Sequence, residues 1–62
     1  MMNYAIWTVK DDDEILVEVY NCIDIEVAHV EKTFLEKGYV ILETAWNVFG
    51  SAFIKMSKIK EN

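Results

Sequence analysis

Apolar residues recur at helical spacing in one stretch of the chain and at strand-like spacing in four others. In residues 24–38, DIEVAHVEKTFLEKG, Val27, Val30 and Phe34 share one face at 100° per residue, with Ala28 and Leu35 on its flank and His29, Lys32, Thr33 and Glu36 opposite. Both ends carry matching signals. Asp24 can accept hydrogen bonds from the free N–H groups of a first turn, and Glu26 adds negative charge where the macrodipole favours it. Gly38 can take the left-handed conformation that ends a helix, and Lys37 places a cation in the last turn. The spacing predicts a helix over about 24–37. Glu31 departs from the pattern, because helical geometry puts it between Val27 and Leu35, beside the apolar band. Carboxylates are rarely buried, so Glu31 either reaches water past Leu35 or forms with Ala28 and Leu35 a contact patch for a partner.

The other periodic stretches read as strands over about 3–10, 15–22, 39–47 and 51–59. The first, NYAIWTVK, is β-branched and aromatic without strict alternation, as in a strand covered on both faces or carrying one exposed apolar face. Lys10-Asp11-Asp12-Asp13-Glu14 is a polar, turn-prone break. In the second strand Ile15, Val17 and Val19 alternate with Leu16, Glu18 and Tyr20, so the first set is the core side. In the third, Val40, Leu42, Thr44 and Trp46 alternate with Tyr39, Ile41, Glu43 and Ala45. Residues 47–51 contain Gly50 and form the next turn; beyond it Ala52, Ile54 and Met56 face one way and Phe53, Lys55 and Ser57 the other.

The order β-β-α-β-β implies a single α+β domain over residues 1–62, in which one helix packs on a four-stranded, mostly antiparallel sheet as two layers. Strand order is left open. The second sheet face then carries some of Trp7, Tyr20, Tyr39, Ile41 and Phe53, a set too apolar to leave in water without reason. Either that face is an interface, since aromatics dominate contact energies, or strand twist and the C-terminal segment cover it.

Composition sharpens this expectation. A core of this size rarely supplies more than about 3–5 kcal/mol, and the single cysteine rules out an intrachain disulfide. With 53% hydrophobic residues in 62, some apolar surface is expected to close against another molecule, as a homodimer, a tight partner, or both. Net charge is −5 and unevenly placed: residues 1–31 hold eight acids and one Lys (−7), residues 32–62 five Lys and three acids (+2). The acidic balance disfavours broad nucleic-acid or anionic-membrane binding and favours basic partners. The opening residues do not read as a signal peptide and there is no run of about 18 apolar residues, so a cytoplasmic, membrane-free location is expected, which suits a lone Cys22.

Catalytic groups are sparse. His29, the only histidine, lies on the polar helix face, and Cys22 precedes a helix N-terminus without an obvious base beside it. Asp11, Asp12, Asp13 and Glu14 lack the spacing and internal glycine of a calcium loop. No catalytic residue, cofactor or metal is therefore assigned. With Glu18, Asp24 and Glu26 the acidic run forms instead a surface suited to a basic groove. Aromatics on an open sheet also occur in single-strand nucleic-acid binders, but here only Lys55, Lys58 and Lys60 supply positive charge near the last strand.

The chain resembles, over about residues 4–42, the small acidic proteins that bacteriophages and other mobile elements make to bind and block host enzymes. The residues that carry the likeness are Trp7-Thr8-Val9, the pair Val19-Tyr20 before the acid-led helix of residues 24–28, and the exit Gly38-Tyr39-Val40. The resemblance implies a class, binding without catalysis, and no residue roles. The expected function is thus a non-enzymatic protein-binding module, a phage-type inhibitor or modulator acting in the host cytoplasm. Asp11, Asp12, Asp13, Glu14 and Glu18 would steer the encounter, and Trp7, Tyr20, Tyr39 and Phe53 would hold the complex. The alternative is a small homodimeric single-strand nucleic-acid binder.

Overall fold

The structure, a computed structural model, describes residues 5–10 and 13–59. Its elements are β1 (Ala5–Lys10), β2 (Glu14–Ile23), α1 (Asp24–Glu36), β3 (Val40–Trp46) and β4 (Ser51–Ile59). The strands lie in the order β1-β2-β4-β3, and every neighbouring pair is antiparallel. β4 slots between β2 and β3, which therefore run parallel to each other with α1 as their crossover, a split βαβ arrangement.

The helix does not cover four strands, which corrects the architecture expected from the sequence. α1 touches β2, β3 and β4, so the packed two-layer unit is β2-α1-β3-β4, three antiparallel strands and one helix, and β1 extends the sheet beyond it. Dimensions explain the difference. A helix about 10 Å across spans about three strands spaced about 4.8 Å apart, and a fourth falls outside its footprint.

Burial follows the alternation in β2 and β4. Val17, Val19, Cys22, Ala52, Ile54 and Met56 face Val27 and Val30 of the helix, and all eight are buried. Ile15, Phe34, Tyr39 and Ile41 pack around them. Two bulges adjust the pattern. Between Val19 and Cys22 the register slips, with Asn21 at φ 59°, and the extra residue returns Cys22 to the core face opposite Ala52. Asn is among the few side chains that tolerate that conformation. Between Ile41 and Glu43 a second shift leaves Leu42 without a partner. Ile41, Thr44 and Trp46 consequently share the register of core-facing Met56, Ile54 and Ala52, whereas simple alternation had separated Ile41 from the other two.

The helix ends also differ from expectation. Helix α1 starts at Asp24 itself, with Ile23 in the cap position and no side-chain capping bond, so Asp24 acts through its charge in the first turn. At the other end Lys37 is the cap residue, not part of the last turn. Gly38, at φ 92°, closes the helix: its N–H donates to the Leu35 carbonyl and the Tyr39 N–H to that of Phe34, each at 3.0 Å. These are the two bonds of a Schellman motif, and the accompanying contact is Tyr39 edge-on to Phe34, centroids 5.2 Å apart.

Glu31 makes a contact that the sequence did not predict. It is half-buried, and its Oε2 accepts a 2.8 Å hydrogen bond from Thr44 Oγ1, which pins the helix flank to edge strand β3.

Candidate functional site

The loop from β3 to β4 carries the two most exposed large apolar side chains among the described residues, Val48 at 92% and Phe49 at 89% exposure. Exposure here does not mean looseness. Asn47 Oδ1 accepts hydrogen bonds from the N–H groups of Phe49 (2.8 Å) and Ser51 (3.1 Å), Asn47 N–H donates to the Ser51 carbonyl at 2.9 Å, and Gly50 donates to the Asn47 carbonyl at 3.3 Å. Gly50 sits at φ 86°, the left-handed residue that a three-residue hairpin loop requires. The backbone thus presents Val48 and Phe49 as a fixed apolar knuckle.

Beside the knuckle is a shallow cleft of about 230 Å³, lined by Tyr20, Asn21, Trp46, Asn47 and Phe53 among others. Tyr20 and Phe53 pack with tilted rings, 5.2 Å between centroids, on the sheet face away from the helix. The Tyr20 hydroxyl donates to Glu18 Oε1 at 2.9 Å; this bond, with lesser contributions from burial and the carboxylate's charge, raises the phenol above its ordinary pKa. Because Ile23 pairs with Ser51, the helix N-terminus rises from this same end and brings exposed Ile25 and Asp24, and half-buried Glu26, to its margin. The end is therefore apolar at its centre and acidic at its edge.

The residues singled out from the sequence divide between two places. Glu18, Tyr20 and Phe53 come together on the outer sheet face, with Trp7 at the register position opposite Glu18. Asp13 and Glu14 are exposed at the far end of β2, about 20 Å along the strand from Tyr20 at about 3.4 Å per residue. Asp11 and Asp12 lie outside the described residues. Tyr39 and Ile41 leave the set: both pack against the core, Tyr39 through the helix-ending motif and Ile41 through the β3 bulge.

Val48, Phe49, Trp46 and Asn47 were not among the residues singled out from the sequence. The signal was present, because Val48-Phe49 falls in a turn beside Gly50, where side chains cannot join an alternating core face.

Across the outer face the charges alternate along one register row, Glu18, Lys55, Glu43. Cys22 is buried, and burial, then the charges of Glu26 and Glu31, push its thiol above the ordinary range, opposite to what a nucleophile needs. His29 is exposed on the helix. Among the described residues no group of three His, Cys, Asp or Glu is placed to hold a metal ion, and no helix is long and apolar enough to cross a membrane.

No family model, curated protein or solved structure matches the chain.

Proposed function

We propose that the chain is a small non-enzymatic protein-binding module that inserts the Val48–Phe49 knuckle into an apolar pocket on a larger protein. The observation that carries this reading is a pair of nearly fully exposed apolar side chains on a loop locked by its own hydrogen bonds. A disordered loop would lose entropy on docking, whereas this one is already ordered. Trp46 and the Tyr20–Phe53 pair flank the knuckle and enlarge the apolar contact. Asp24 and Glu26 in the first helical turn, with Glu43 and Glu18 nearby on the sheet, favour a pocket rimmed by Lys and Arg. Inhibition or modulation of that protein, the consequence suggested by the resemblance to phage host-blocking proteins, belongs to the same proposal.

The test is capture from nuclease-treated bacterial lysate on immobilised wild-type protein and on a Val48→Ser/Phe49→Asp variant. The expected result is one dominant protein retained by wild type and released by the variant, with an association rate that falls as salt rises. Equal retention by both would overturn the knuckle as the binding element. Loss of all retained material on nuclease treatment would transfer the reading to single-strand nucleic acid, for which the Glu18–Lys55–Glu43 row supplies little positive field.

A further inference from the structure

We propose that the opposite end of the molecule is a self-association surface, on which a second copy of this chain docks across a twofold axis. Three features meet there. Asp13 and Glu14, at the start of β2, are exposed there, and Glu14 pairs with Ile59 at the end of β4. On the far side of β4 a cleft of about 410 Å³ is lined by Lys37, Gly38, Val40, Ser57, Lys58 and Ile59. Between acids and lysines lies exposed Ile59, at 67%, and the cleft itself exposes Val40, at 60%.

The lysines are held in place. Lys37 Nζ lies 5.5 Å from the Phe34 ring centroid and Lys58 Nζ 5.6 Å from that of Tyr39, the same two rings that close the helix. The Lys58 stem runs past Gly38, its Cε in ordinary van der Waals contact, 3.5 Å, with where a Cβ would stand. The Schellman motif thus also sets out a pair of cations.

Charge order identifies the occupant. The acidic turn and the lysine cleft sit on opposite sides of the end of β4, about two strand spacings or roughly 10 Å apart. A twofold axis through the intervening Ile59 surface lays Asp13 and Glu14 of each copy on the other copy's lysine cleft and closes the exposed apolar surface between them, the self-complementary form of an isologous interface. A chain of net charge −5 repels itself over most of its surface. Here the signs complement one another, whereas the knuckle end has acids at its edge. Self-association here leaves the knuckle free, so the inference stands independently of the partner proposed above.

Sedimentation equilibrium of the full chain tests it. Wild type should dimerise at low salt and weaken about tenfold or more as salt approaches roughly 0.5 M. Lys37→Glu/Lys58→Glu and Asp13→Lys/Glu14→Lys should each be monomeric under conditions where wild type is dimeric. Mixing the two variants should restore a dimer, because residues 13 and 14 of each then face residues 37 and 58 of opposite sign on the other. Lys37→Glu alone, at an exposed position, serves if the Lys58 change disturbs the fold, which circular dichroism reports. Wild type that stays monomeric at low salt, a mixture no better than its components, or a dimer abolished by Val48→Ser/Phe49→Asp would each overturn the proposal.

Discussion

The two ends of the sheet expose apolar surface for different reasons, and the contrast separates the two binding roles proposed for them. At the β3–β4 loop the apolar residues are raised on a knuckle and the charges about it are acidic. At the helix C-terminus they lie in a cleft, with acids on one side and lysines on the other. A protruding apolar element edged by one sign suits a foreign pocket of the other sign. A recessed surface carrying both signs suits a copy of itself. Among the described residues eight buried side chains form one core shared by the two ends, so each end is only as rigid as the packing between them.

That dependence yields the largest expected effect. Ile54 is fully buried at the centre of β4, paired with Val19 on one side and Thr44 on the other. Ile54→Ala should cost about 2–5 kcal/mol, comparable to the whole stability of a domain this size, and should abolish both binding activities together. Urea unfolding followed by circular dichroism reads this directly; a variant that stays folded and keeps either activity would show that the ends do not share one core.

Next, Phe49→Asp separates the ends. Loss of an anchoring aromatic should weaken partner binding by about 2 kcal/mol or more, with stability changed by less than about 0.5 kcal/mol and dimerisation unaffected. Smaller in effect is Thr44→Val, which leaves Glu31 Oε2 without its donor. A charge-assisted bond of this kind contributes about 1.5–3 kcal/mol. Its loss should raise amide exchange in α1 and β3 more than in β1 and β2, and uniform acceleration would mean that the bond does not tie this flank down.

The smallest effect concerns Cys22. Its thiol pKa is raised in the folded protein by burial and by Glu26 and Glu31, so folding favours the protonated form. The associated stability is complete below the ordinary thiol value and is lost as pH rises from there through the raised folded value. Wild type should therefore lose stability at alkaline pH, from where the unfolded thiol begins to ionise, more steeply than Cys22→Ala in parallel urea titrations. Identical slopes would remove the thiol from the alkaline response.

Much of the frame was legible because it depends on local signals. Gly38 marked the helix end, Val27 and Val30 marked its buried face, and the alternation in β2 and β4 separated Val17, Val19, Ile54 and Met56 from the outer face. What was not legible depended on geometry between elements. Periodicity says nothing of how many strands a helix covers, so β1 was counted under it. A bulge changes phase without an evident residue signature, so Ile41 was assigned to the wrong side of β3. Tyr39 looked like a strand aromatic because the Schellman contact that claims it lies one residue past Gly38. The knuckle was overlooked for a different reason: Val48 and Phe49 were read as part of a turn, and their apolarity there went unused.

The claim that the two ends have separate roles is tested most directly by amide NMR spectra of the free protein over a dilution series at low salt. Concentration-dependent shifts should appear at Asp13, Glu14, Lys37, Gly38, Lys58 and Ile59, while Trp46, Val48, Phe49 and Gly50 stay unmoved. Shifts centred on residues 46–50, with the lysine end silent, would make the knuckle the self-association site and contradict the account.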